Sequence, residues 1–267
     1  MLRKRIIFSL IYSDGYFMQS RNFRLQKVGN LNWLEKNYKF QSIAFSLDEL
    51  IVLNASKTEK NIIEFAETVS NLVNDVFIPI AAGGGIRTLE DAELLFNSGA
   101  DKLVLNTTLV ESPELVKILV KQYGSQSIVA SIDYKKVNDT FEVYIKDGTF
   151  KIDMLLSEYL EYLETLEIGE IYLNSIEKDG TGFGYDFETI MLLEKEINIP
   201  LIIAGGAGNE NHLIQGLQLS GVSAVATANL FNFIGDGLPN ARNKIIEKGL
   251  NIANWNVDNL NYKKNKI

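Results

Sequence analysis

The residues best suited to chemistry in this sequence are glycines and carboxylates at the ends of apolar runs. Ile78-Pro79-Ile80-Ala81-Ala82 runs into Gly83-Gly84-Gly85, and Leu201-Ile202-Ile203-Ala204 runs into Gly205-Gly206. A glycine turn that opens onto a helix lets backbone N–H groups approach an anion without side-chain interference. Gly84 and Gly85 in one turn, and Gly205 and Gly206 in the other, are therefore candidate phosphate ligands. The next apolar run after each ends in small or polar residues, Asn106-Thr107 and Ala228-Asn229, placed to complete each cradle. Two matched cradles imply a ligand carrying a phosphate at each end; the alternative is that the glycines only make tight turns. A third turn, Asp179-Gly180-Thr181-Gly182-Phe183-Gly184, reads as a flexible lid or a plain loop. Within it Asp179, Gly180 and Thr181 are suited to hydrogen-bond the second phosphate or a neighbouring hydroxyl.

The elements that must position these residues follow from hydrophobic periodicity. Eight short apolar runs read as strands: Ile6–Ile11, Glu49–Asn54, Ile78–Ala82, Lys102–Asn106, Ile128–Asp133, Glu170–Asn174, Leu201–Ala204 and Ala224–Ala228. Amphipathic segments such as Thr88–Ser98, Ser112–Tyr123 and Asp186–Glu196 are long enough to be crossover helices. The chain also repeats itself. Asp48–Asn54 is answered by Gly169–Asn174, Ile78–Gly85 by Ile199–Gly208, and Ser98–Asp101 by Ser220–Ser223, all displaced by about 121 residues. These observations predict an α/β fold, a (β/α)8 barrel of the TIM type made of two fused half-barrels, with residues 1–250 as a single domain and 251–267 as a C-terminal extension.

Composition narrows the function classes. The 267 residues are 46% hydrophobic and 22% charged, which suits one continuous core. A formal net charge of −8 argues against a nucleic-acid partner. There is no cysteine and one histidine, His212, so thiolate chemistry is excluded and a metal site or a His-based triad is not expected. No cofactor is called for. The N-terminal Lys4-Arg5 and Ile6–Tyr12 imitate a signal peptide but end at Ser13-Asp14-Gly15 without a cleavage site, and no apolar stretch reaches the roughly 20 residues that cross a bilayer. A cytoplasmic protein without membrane contact is expected.

Taken in order, Met1-Leu2 with Lys4-Arg5-Ile6-Ile7, Asp14-Gly15, Gly83-Gly84-Gly85-Ile86, Gly99-Ala100-Asp101-Lys102, Gly124-Ser125-Gln126, Asp179-Gly180-Thr181 with Gly184-Tyr185-Asp186, and Gly205-Gly206-Ala207-Gly208 resemble the cyclase subunit of imidazole glycerol phosphate synthase, the HisF family. The resemblance runs from residue 1 to about 250. It implies a barrel that pairs with a glutaminase subunit as a heterodimer and conducts ammonia along its axis to a small phosphorylated ligand. It further implies that Arg5, Glu49, Lys102 and Glu170 form a charged gate at the barrel base, where the competing reading is a structural plug. Asp101 matches a position at the glutaminase interface, or is simply solvated surface.

The family's cyclase chemistry uses two symmetry-related aspartates as general acid and base. Here the fifth strand carries Asp133, and the position one repeat earlier is Ile11. An isoleucine exchanges no proton, so the two-carboxylate mechanism cannot run as in the family. Asp14 is a possible substitute, and Gln19 stands where the family has a lysine, with Arg21 two residues away. Asp133 is open to three readings: a retained catalytic base, a group that orients ligand, or a vestige held by hydrogen bonds. Family-like proteins lacking the first aspartate resemble paralogues associated with bacterial surface-glycan (lipopolysaccharide) synthesis. There the barrel and a glutaminase supply ammonia to a synthetase that amidates a nucleotide-activated sugar. That role is expected here, with a histidine-biosynthesis cyclase and a non-catalytic phosphate-ligand scaffold as the alternatives.

Overall fold

The structure, a computed structural model, describes residues 3–38, 43, 45–57, 60–138, 140–193 and 197–254. Eight parallel strands close on themselves in the order β1 (Arg5–Ser13), β4 (Glu49–Asn54), β5 (Ile80–Gly83), β6 (Lys102–Leu105), β7 (Ile128–Val137), β10 (Glu170–Ser175), β11 (Leu201–Ala204) and β12 (Val222–Thr227), with β12 pairing back onto β1. These are the first to eighth barrel strands, so the fold is the (β/α)8 barrel the repeat demands. Helices α1 (Leu31–Tyr38), α2 (Ile62–Asp75), α3 (Leu89–Asn97), α4 (Thr107–Glu111), α5 (Pro113–Tyr123), α6 (Leu156–Glu164), α7 (Phe187–Leu193), α8 (Glu210–Gln218) and α9 (Gly237–Glu247) lie along the chain between and after them. Thr88 caps α3 in a reciprocal box with Asp91, and Asn61 and Asn209 cap α2 and α8, which fixes where each helix starts. The end of the helical run expected to Glu196, and residues 255–267 of the expected extension, lie outside the described residues.

Alternation along the strands splits the buried residues into two cores. Ile6, Phe8 and Leu10 face the helices, whereas Ile7 faces inward with Ile51, Ala81, Val104, Val129, Tyr172, Ile202, Ala224 and Ala226. The same alternation carries Arg5, Ser9 and Ile11 to the inner face of β1, and Glu170, Tyr172 and Asn174 to that of β10. Two observed strand boundaries differ from the sequence reading for simple reasons. β5 starts at Ile80 because Pro79 has no N–H to give the ladder, and β12 starts at Val222 across a register shift opposite Leu201 and Ile202.

Two antiparallel hairpins interrupt the β/α alternation, one per half. β1 continues through Asp14-Gly15 into β2 (Tyr16–Arg21) and β3 (Arg24–Gly29). Asp14 and Gly15 both have positive φ (48° and 81°), as a two-residue turn between strands requires. Four strands later β7 continues into β8 (Thr140–Ile145) and β9 (Phe150–Leu155). At the base of the barrel the segment before β1 is tied to the one after α9. Lys4 N donates to Asn251 O at 2.8 Å. Buried Arg242 grips Asp48 through two nitrogens at 2.8 and 3.1 Å and donates to Ala253 O.

Candidate binding site at the barrel mouth and ionic ring at its base

Arg5, Glu49, Lys102 and Glu170 are each the first residue of a barrel strand and converge on the axis. Arg5 donates to Glu49 at 2.7 Å and to Glu170, and Lys102 donates to Glu170 at 2.6 Å and to Glu49 at 3.1 Å. The result is a closed ring of alternating sign. Both glutamates are buried, and each cation meets two anions, the condition under which ions tolerate burial. The two carboxylates are nevertheless unlike. Burial raises Glu49 above the usual carboxylate range despite Lys102 and Arg5. At Glu170 burial acts in the same direction, but Arg5 and Lys102 outweigh it and the group is lowered. Asp101, next to the ring, is exposed on the outside and accepts from Ile80 N at 2.9 Å, just as Asp48 accepts from Ile6 N at 2.8 Å.

Above the ring, the inner apolar layer is crossed by one polar contact. The Tyr172 hydroxyl lies 3.1 Å from Ser9 Oγ, joining the sixth barrel strand to the first. Both residues are buried, and burial holds the phenol well above its ordinary range. One layer higher lies Asp133, also buried. It accepts from Asn174 Nδ2 at 3.2 Å and from Asn106 Nδ2 at 3.3 Å. Burial pushes its carboxyl up to about 7; the Asn174 bond and Lys60 oppose the rise, and the carboxylates of Asp147 and Asp179 add to it. Such a group exchanges protons near neutrality.

Register shows what answers this cluster across the repeat. Asp133 stands opposite Asn174 in the β7–β10 pair, and Ile11 stands opposite Leu53 in the β1–β4 pair. Asp14 is on the exposed β1–β2 turn, where its carboxylate accepts from Ser13 Oγ at 2.9 Å and its N–H donates to Ser56 Oγ at 3.1 Å. It does not take Ile11's place on the inner face of the strand.

Each hairpin reaches strand-end loops of the other half of the barrel. The first reaches the loops after the sixth and eighth barrel strands. Ser20 Oγ and Phe23 N donate to Asp179 Oδ2 at 2.5 and 3.0 Å, and Leu230 N donates to Gln19 Oε1 at 2.9 Å. A Cβ added at Gly180 would lie 2.0 Å from Ser20 O, so that glycine is needed for the hairpin's close approach. Arg21 is exposed beside it, and Thr181 Oγ1 donates locally to Lys178 O at 2.7 Å. Phe231 N and Asn232 N donate to the side-chain Oδ1 of Asn229, while Ala228 follows directly on the end of β12. Gly205 and Gly206 have φ of 87° and 104°, and a side chain on Gly206 would strike Gly184 O.

The second hairpin reaches the loops after the second and fourth barrel strands. Lys146 N donates to Thr107 Oγ1 at 3.2 Å, and Asp147 pairs with Lys60 Nζ at 3.1 Å. Lys60 also donates to Asn54 O, and its stem runs past Gly85. Gly84 and Gly85 have φ of 96° and 93°. The two hairpin tips meet where Gly148 packs against the Phe23 ring. His212 is outside this cluster, its Nδ1 accepting from Gly208 N at 3.1 Å. Among the described residues no three His, Asp or Glu side chains are grouped to hold a metal ion, and no helix is long and apolar enough to cross a membrane.

The closed parallel barrel, with glycine turns after its third and seventh strands and a half-polar mouth, is of the (β/α)8 class. Residues 19–235 match the family model described as "Histidine biosynthesis protein". Over 256 residues, covering 96% of this chain and 95% of the relative, the sequence is 43% identical to a provisionally named imidazole glycerol phosphate synthase subunit hisF2 of Parasynechococcus marenigrum. It is 36% identical over 257 residues to the imidazole glycerol phosphate synthase subunit HisF of Hydrogenobaculum sp., covering 94% and 99% of the two chains. Against HisF of Pyrobaculum aerophilum it is 37% identical over 239 residues, with 89% and 92% covered. The chain belongs to the histidine biosynthesis protein family, and within it to the HisF type.

Proposed function

We propose that this chain is the barrel subunit of a glutamine amidotransferase. It pairs at its base with a glutaminase of the HisH kind, passes ammonia through the Arg5–Glu49–Lys102–Glu170 ring, and binds a phosphorylated ligand at the mouth. The observation that carries this reading is the combination of an intact ionic ring with a one-sided mouth, in which Asp133 and Asn174 face Ile11 and Leu53. Conducting ammonia needs the ring; two-carboxylate cyclisation needs an acid at position 11. The role that fits best is delivery of ammonia to a partner synthetase that amidates a nucleotide-activated sugar for surface polysaccharide.

A second reading, cyclisation in histidine biosynthesis, draws support from the names of the relatives and from Asp133, whose carboxyl titrates at about 7. The two separate cleanly in one experiment. The purified chain is mixed with a HisH-type glutaminase and assayed for stimulated glutamine hydrolysis and for ammonia-dependent turnover of the phosphoribosyl formimino substrate of the family. Stimulation without turnover supports the conduit, and both together support the cyclase. No binding and no stimulation would eliminate the amidotransferase reading.

A further inference from the structure

Lys60 belongs to neither the ring nor the Asp133 cluster, yet its position is specific. It follows the second barrel strand, its stem lies 3.1 Å from where a Cβ on Gly85 would be, and its ammonium is shared between Asn54 O at 2.9 Å and Asp147 Oδ1 at 3.1 Å. Asp147 reaches it from the tip of the β8–β9 hairpin, whose next contact is Lys146 N on Thr107 Oγ1. The Asp147 carboxylate is thus held on a lysine whose stem passes a glycine turn, with a threonine hydroxyl bonded to the neighbouring Lys146 N, a set of groups that suits a phosphate better than it suits one carboxylate.

The Asp147 contact is the weak one at this tip, which is otherwise held by Lys146 Nζ on Glu111 at 2.6 Å and by Gly148 on Phe23. Lys146 and Asp147 have φ of 55° and 57°, in the left-handed region that costs residues with a Cβ. Asp147 is 41% exposed, so its pairing with Lys60 is screened and weak. Asn54, whose carbonyl receives Lys60, keeps a buried side-chain Nδ2 without a hydrogen-bond partner on the helix-facing side of its strand. The other glycine turn has a lysine stem of its own, with Lys178 Cβ 3.2 Å from where a Cβ on Gly206 would be, but there the hairpin is held by Ser20 and Phe23 on Asp179.

We propose that Lys60 is a ligand of the first cradle for a phosphate monoester, and that Asp147 is an internal anion which the phosphate displaces, releasing the β8–β9 tip. The exchange trades one carboxylate for a dianion with three acceptor oxygens, so it runs forward only when a phosphorylated ligand is present. The inference rests on the reading of the glycine turns as phosphate cradles.

The test is calorimetric titration of the full chain with inorganic phosphate and with glycerol 3-phosphate at fixed ionic strength. Removing the competitor with Asp147→Asn tightens binding roughly three- to fivefold. Lys60→Gln weakens it roughly tenfold or more, and the double variant behaves like Lys60→Gln. Amide exchange at residues 146–149 of the unsubstituted chain accelerates when phosphate is added. Unchanged or weaker binding in Asp147→Asn, or full affinity in Lys60→Gln, with native circular dichroism, overturns the latch while leaving the cradles standing. No phosphate binding to any of the four proteins removes the cradle reading together with the latch.

Discussion

The two halves of this barrel share a scaffold and differ in chemistry. Each has a hairpin after its first strand, a glycine turn after its third, and a glutamate opening its second, Glu49 or Glu170. At the mouth the likeness ends, because the second half presents Asp133 and Asn174 where the first presents Ile11 and Leu53. A repeated backbone evidently conserves what closes the barrel while leaving the inner ends of its strands free to diverge. The ring shows a milder divergence, since equivalent glutamates sit at different depths and titrate in opposite directions.

The sharpest way to break the comparison is at the ring. Glu170→Ala leaves Arg5 and Lys102 facing each other with one shared anion and costs about 3–5 kcal/mol in urea unfolding. Glu49→Ala costs less, because burial already disfavours that charge; equal losses would show that the two halves are electrostatically alike after all.

Restoring symmetry at the mouth is the next largest effect. Ile11→Asp places an uncompensated carboxyl beside Leu53 and destabilises by about 2–4 kcal/mol at pH 8. Adding Leu53→Asn recovers about 1 kcal/mol of this through the new pair. If the double variant is no more stable than the single, the Asp133–Asn174 pairing is not transferable.

Asp133 itself gives a pH signature. A carboxyl raised on folding is favourable when protonated, so stability from this group is full at low pH. It falls as pH climbs from the ordinary carboxylate value of about 4 toward about 7. Asp133→Asn flattens that part of the profile by about 2 kcal/mol or more, readable as melting temperature against pH. An unchanged slope would place the ionisation elsewhere. The smallest effect is expected at the axial crossbar, where Tyr172→Phe removes one buried hydrogen bond and costs about 1 kcal/mol.

The barrel strands, the crossover helices and the repeat were legible in the sequence because each rests on periodicity or on a matched offset, and the four ring residues because they match positions of the family that the sequence resembles. The hairpins were not. Arg24–Gly29 and Phe150–Leu155 are largely polar or exposed, so they lack the one-sided apolar pattern of a strand packed on a core. Their signals were the Asp14-Gly15 and Asp147-Gly148 turns, which mark tight reversals more reliably than the strands mark themselves. Missing the hairpins meant missing what Asp179, Gly180 and Thr107 touch. Residue type could nominate these as ligands, but it could not show that hairpin groups reach them first. Ser9 and Tyr172 escaped notice because their contact joins residues 163 apart and belongs to no motif.

The pairing of β1 with β12, reinforced by Lys4 on Asn251 and by Arg242 on Asp48 and Ala253, bears on how the chain is made. A ribosome delivers β1 long before its second neighbour, since Arg5 pairs with Ala224. At roughly 5–20 residues per second, one edge of β1 waits on the order of 10–40 s with its backbone groups unsatisfied. During that interval the nascent barrel is an open parallel sheet with a sticky side. The closing of that seam is therefore a late, long-range step that no earlier strand pairing can replace.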